Sequence, residues 1–167
     1  SSHTRSPAYS TLFWLGDQLT TFDEYDGLRT TINGQLSAGL SGMSMMHSDV
    51  GGYTMVQESK ALTYLRSKEL LLRWAEVSAL SDVVLRTHPG NLPDQSHQIY
   101  TDNSTLKCYR KLTQIHRIFA DYRRDVLMPN ATKYGHPMVR SMWMHYPEDP
   151  VAQQIGTQFL LGDVFLV

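Results

Sequence analysis

Three short, mostly apolar runs alternate with three amphipathic ones, and that rhythm leaves few folds open. Residues 11–15, 44–47 and 82–86 have the length and content of strands buried inside a sheet. Each is followed by helical spacing. In residues 27–40, Leu28, Ile32, Leu36 and Leu40 recur every fourth position, and Gly42 follows as a stop. In residues 67–80, Leu70, Leu71, Trp74, Val77 and Ala79 supply an apolar side. Residues 105–128 form the longest helical stretch, which Pro129 is expected to end. Strands alternating with helices predict a parallel sheet with helices outside. Three such units fit a doubly wound sheet or part of a (β/α)8 barrel, and periodicity does not separate the two.

The remaining segments are less regular. Residues 87–104 hold Pro89, Gly90 and Pro93 and few apolar side chains, so they predict a long loop, a length often kept for function. Residues 136–146 read as extended with no helix after them. Residues 153–161 read as a short helix or turn entering a last apolar strand that runs to Val167. Residues 1–7 lack the apolar centre of a leader peptide. An unpaired apolar run at one end and no starting Met at the other read as cuts inside a larger protein.

Composition removes whole classes of function. One cysteine, Cys108, excludes an internal disulfide framework and a cysteine-rich zinc site. A net charge of -1 gives no pull toward nucleic acid or an anionic membrane. No apolar stretch reaches the length of a transmembrane helix, about 18 residues or more. Asn103-Ser104-Thr105 and Asn130-Ala131-Thr132 match the N-glycosylation pattern, which supports secretion only weakly and leaves the compartment open.

Chemistry collects just after each predicted strand. Gly16-Asp17-Gln18 follows the first, His47-Ser48-Asp49-Val50-Gly51-Gly52-Tyr53 the second, and Arg86-Thr87-His88-Pro89-Gly90-Asn91 the third. In a barrel, the loops at the C-terminal ends of the strands form the active site. Taken singly, these residues also have plainer readings. Asp17 after a glycine fits a turn or a helix cap. His47 and Asp49 would supply only two ligands to a metal, and no metal or cofactor is expected. Arg86 could hold an acid by ion pairing. Met43, Met45 and Met46 read as core filler, and Arg123-Arg124 as a solvated helix face.

Phe13-Trp14-Leu15-Gly16-Asp17-Gln18 resembles the general acid/base segment of glycoside hydrolase family 31. His47-Ser48-Asp49-Val50-Gly51-Gly52-Tyr53-Thr54 resembles the family's next barrel strand. Glu69-Leu70-Leu71-Leu72-Arg73-Trp74, Arg86-Thr87-His88 and Pro137-Met138-Val139-Arg140 follow in the family's order. Gln158-Phe159-Leu160-Leu161-Gly162-Asp163 is similar to the entry into the sheet behind the barrel. Gln18 after the acid, and His-Ser-Asp-Val-Gly-Gly-Tyr, look most like the sulfoquinovosidase branch.

The resemblance implies an α/β fold, the C-terminal portion of a (β/α)8 barrel over residues 1–135, running into the start of a β-sandwich at 136–167. It implies retaining hydrolysis of an α-glycoside, with Asp17 as general acid/base and Trp14, Gln18, Asp49, Tyr53 and His88 against substrate. In that branch Tyr53 would meet a sulfonate and His88 the sugar hydroxyls. Such an acid must stay neutral until it meets its substrate, and apolar neighbours at Phe13, Trp14 and Leu15 would favour that form. The family's nucleophile segment is not in this sequence, so these residues alone should not turn over a glycoside. The partners implied are a carbohydrate and the remainder of the same enzyme; the oligomeric state stays open. Other readings are a family α-glucosidase or α-xylosidase for neutral sugars, and a sugar-binding or structural barrel subunit without turnover. A free-standing flavodoxin-like domain fits poorly, since no phosphate-binding glycine turn follows the first strand.

Overall fold

A computed structural model describes residues 5–59 and 62–167; residues 1–4, most of the segment read as lacking a leader, lie outside the described residues. After a short helix, α1 (Ser6–Tyr9), strand β1 (Phe13–Trp14) pairs in parallel with β2 (Met46–His47), Phe13 opposite Met46 and Trp14 opposite His47. Residues 82–87 run beside β2 on its other side. Val83 N–H donates to Met46 O at 2.9 Å and Val50 N–H to Arg86 O at 3.0 Å, with a parallel bridge between Val50 and Thr87. The expected third strand is therefore reduced to an extended segment. Ser48 N–H, which a regular ladder would use, donates instead to the Asp82 carboxylate at 2.9 Å.

Helix α2 (Leu28–Leu40) lies where expected, but turned. Its buried positions are Leu28, Thr31, Gln35 and Gly39, while Leu40 is 55% exposed. The two-stranded hairpin β3 (Val56–Gln57) and β4 (Thr63–Tyr64), which periodicity missed, precedes α3 (Lys68–Ser81). Ser67 starts α3 by accepting Leu70 N–H at 3.1 Å. Leu70, Leu71, Trp74, Ala75 and Ala79 face inward, joined by Val50, Leu28 and by Tyr109 and Leu112 of α4 (Asn103–Ile118). Burying each large apolar side chain here is worth about 1.5–3 kcal/mol.

Pro129 does not end the third helical stretch. A short turn α5 (Ala120–Tyr122) leads into a π-helical segment at Arg123–Leu127, and α6 (Met128–Tyr134) then continues to Gly135, whose left-handed φ of 72° closes it. Pro129 sits in the first turn of α6, where its missing N–H costs least. Beyond it, β5 (Val139–Ser141), β6 (Phe159–Leu161) and β7 (Phe165–Leu166) form an antiparallel sheet in the order β5-β6-β7. Two expectations change here: a helix, α7 (Met142–His145), follows β5, and the last apolar run is a hairpin. Leu127, Met138 and Leu161 pack with Met45 and Val83, at the starting ends of the parallel segments. The antiparallel sheet thus covers one end of the parallel one, and the other end is left to the loops.

Candidate active site

Parallel pairing brings the three loops after the strands to one end, as the sequence pattern requires. They enclose an open cleft of about 440 Å³ lined by Trp14, Asp17, His47, Asp49, Tyr53, Arg86 and His88. Five of the six residues expected at the site, Asp17 included, are therefore together. Gln18 is not among them: its side chain is buried and its Nε2 donates to Leu15 O at 2.6 Å.

The first loop is fastened to the second through the backbone. Tyr53 and Thr54 N–H donate to Gln18 O at 2.9 and 3.0 Å, and Thr54 Oγ1 donates to Asp17 O at 2.9 Å. The approach depends on Gly52, with φ of 78°, because a Cβ there would stand 2.9 Å from Leu19 O. Asp17 is exposed in the cleft. Of the apolar residues expected to surround it only Trp14 shares its cleft; Phe13 and Leu15 line a separate cavity with Ala38, Met43 and Met46.

On the facing wall, His88 meets Tyr53 edge to face, ring centroids 4.8 Å apart at 70°. His88 Nδ1 accepts Gly90 N–H at 3.0 Å, which leaves the proton of the neutral ring on Nε2. Asp49 has a side chain only 1% exposed and is ion-paired to Arg86, itself 48% exposed. Its second oxygen, Oδ2, is buried with no hydrogen-bond partner among the described residues, as is His47 Nδ1.

His47 and Arg86 complete a lining that sequence reasoning had only partly marked. The signal that finds them is parity. In an extended chain residues two apart share a face, so His47 accompanies Asp49 and Arg86 accompanies His88. Ser48, between them in phase, turns the other way into a buried cluster, where its hydroxyl accepts Trp74 Nε1–H at 2.9 Å and donates to Asp82 at 3.1 Å. Among the described residues no group of three or more His, Cys, Asp or Glu side chains is placed to hold a metal ion. No helix among them is long and apolar enough to cross a membrane.

Comparison with known proteins accounts for both the parallel layer and the antiparallel sheet behind it. Residues 2–124 match the glycosyl hydrolases family 31 TIM-barrel domain, and residues 135–167 match the glycosyl hydrolase family 31 C-terminal domain. The chain belongs to glycoside hydrolase family 31. Its family 31 relatives include the sulfoquinovosidase of Escherichia coli (strain K12), 37% identical over 98% of this chain and 23% of that protein. A solved structure of a GH31 family sulfoquinovosidase from E. rectale, in complex with the aza-sugar inhibitor IFGSQ, superimposes with a TM-score of 0.85. It is 40% identical, covering 95% of this chain and 23% of that one. The neutral alpha-glucosidase AB of Sus scrofa is 31% identical over 92% of this chain and 15% of its own length. The chain thus spans less than a quarter of the length of these family 31 proteins.

Proposed function

We propose that this chain carries the acid/base half of the active site of a retaining α-glycosidase that releases sulfoquinovose from α-glycosides. One observation carries the reading: Asp17, Tyr53 and His88 come from three successive strand ends into a single cleft. Asp17 is exposed and, unlike Asp49, is not tied up by the Arg86 guanidinium. It protonates the glycosidic oxygen as the bond to the anomeric carbon breaks. In the second step it takes a proton from water attacking the same carbon. His88 presents Nε2–H to sugar hydroxyls, and Tyr53 offers its phenol to the sulfonate. Trp14 supplies a flat apolar face, and Gln18 supports the Asp17 loop from below rather than touching the sugar.

The mechanism needs a second carboxylate as nucleophile. Asp49 does not suit it, because it is buried and already paired with Arg86. We therefore assign the nucleophile to a carboxylate outside these 167 residues, supplied by the remainder of the same enzyme across the open side of the cleft. The proposed division at 135/136 is supported by Gly135, which ends α6, and by the change from parallel to antiparallel pairing beyond it; residues 136–167 then begin a β-sandwich.

The test is hydrolysis of para-nitrophenyl α-sulfoquinovoside against the matching α-glucoside by the native polypeptide that carries this chain. A preference for the sulfonated sugar, lost on replacing Tyr53 by Phe, supports the reading. Equal or better cleavage of the glucoside assigns the site to neutral sugars. No cleavage of either contradicts a hydrolytic role.

A further inference from the structure

Arg66 does not line the cleft, and it is almost entirely buried. Its guanidinium nevertheless has an acceptor at each of its three nitrogens. Nε donates to His97 O at 2.9 Å. Nη1 donates to Gly52 O at 3.2 Å and His88 O at 2.7 Å. Nη2 donates to Pro89 O at 3.2 Å and to Gln98 Oε1 at 2.7 Å. All of these acceptors are neutral, and all but Gln98 Oε1 are backbone carbonyls. Burial draws the guanidinium down to about 10, so it remains charged at neutral pH. Burying a cation is costly unless its donors are satisfied. Here they are satisfied only because three separate pieces of loop converge on one side chain.

Two of those pieces carry cleft residues. Gly52 immediately precedes Tyr53, and His88 gives its own carbonyl. The Pro89 carbonyl lies between His88 and Gly90, whose N–H fixes the imidazole through Nδ1 at 3.0 Å. Gly51 adapts the second loop to the guanidinium: its φ is 91°, and a Cβ at this position would overlap Arg66 Cδ.

We propose that Arg66 is the positioning residue of the sugar-recognising wall, fixing Tyr53 against His88 and holding His88 with its proton on Nε2. Lysine, with three donors on a flexible stem, cannot replace a planar fork with five. The sugar as ligand rests on the glycosidase reading; the geometry around Arg66 does not.

The test compares the native polypeptide with its Arg66→Lys and Arg66→Met variants by two independent readouts. Long-range ¹⁵N–¹H spectra report which nitrogen of His88 carries the proton, without any substrate. Steady-state kinetics on an α-sulfoquinovoside report recognition. The expected result is a His88 signal moved from the Nε2–H form toward a mixture in both variants. A loss of about 10²-fold in kcat/KM should accompany it, carried mainly by KM, as a displacement of the binding wall implies. An unchanged His88 signal with kcat/KM within a factor of about 2 of the parent, in variants that fold, overturns the proposal even if their melting temperature falls. Should both variants fail to fold, Gln98→Leu keeps the guanidinium but removes one acceptor and the donor to Pro89 O. It should move the same His88 signal, and an unmoved signal overturns the proposal. Failure of the parent to cleave any glycoside would sink the functional reading, and the His88 spectrum would still decide Arg66.

Discussion

Asp49 and Asp82 are both buried carboxylates, and their surroundings treat them in opposite ways. Asp49 is balanced by a half-exposed guanidinium at the cleft wall. Among the described residues Asp82 is met by neutral donors, including Gln35 Nε2 at 2.6 Å, Ser81 Oγ at 2.9 Å, Ser48 N at 2.9 Å and Ser48 Oγ at 3.1 Å. Replacing Arg86 by Met leaves Asp49 without its partner, at a cost of about 2 kcal/mol in urea unfolding. A double variant that also carries Asp49→Asn should recover part of that loss. For Asp82, burial raises the carboxyl above its usual range, the hydrogen bonds opposing only in part. The fold then binds a proton that the unfolded chain has released, so stability falls as pH rises from about 4 toward the raised value. In an Asp82→Asn variant this pH dependence should be absent. The variant should also be destabilised by about 1–3 kcal/mol, since the amide nitrogen faces donors. A variant with the same pH profile as its parent would show that folding does not shift the Asp82 carboxyl.

Helix α2 shows where sequence periodicity reaches its limit. Its existence and bounds were legible, because Leu28, Ile32, Leu36 and Leu40 keep helical spacing. Its inward face was not, because the partners that turn it are distant in sequence. Gln35 is drawn in by Asp82, and Gly39 lies where a Cβ would stand 3.0 Å from Pro137 Cβ. Gly39→Ala should therefore destabilise by about 1–3 kcal/mol through overpacking, although helix propensity alone favours alanine by about 1 kcal/mol. The long helical stretch was legible up to Pro129, and the π-helical segment that lets it continue left no periodic signal. Arg123, expected on a solvated face, instead ends α3: its Nη2 donates to Ala79 O at 2.9 Å and Leu80 O at 2.8 Å. His116 Nδ1 meets the same Ala79 carbonyl at 3.1 Å, and burial, with Arg123 beside it, lowers the imidazole below 6.5. A lowered histidine contributes stability above pH 6.5 that is lost as pH falls through its folded value. Replacing His116 by Gln should flatten that acid limb of a melting-temperature profile.

At the scale of the whole molecule, the two ends of the parallel layer do different work. The starting ends are sealed by Leu127, Met138 and Leu161 against Met45 and Val83, and the finishing ends hold the cleft. Most of the cleft was legible because its residues sit in short segments directly after predicted strands, where topology alone brings them together. Gln18 stands apart from the cleft lining, and adjacency to Asp17 could not show this because it says nothing about which way a loop side chain turns. Arg66 was missed because its role lies in acceptors gathered from three separate loops, and no local pattern records that. Proton donation by Asp17 is the step on which the functional reading stands. Its most direct measurement is hydrolysis of two α-sulfoquinovosides, one with an alkoxide and one with a nitrophenolate leaving group, by the native polypeptide and its Asp17→Asn variant. Acid catalysis predicts a loss of about 10²–10⁴-fold in kcat/KM, which reports only the first step, on the alkyl glycoside and a much smaller loss in kcat/KM on the nitrophenyl glycoside, whose nitrophenolate leaves without a proton. An equal loss on both, or none on the alkyl glycoside, would contradict it.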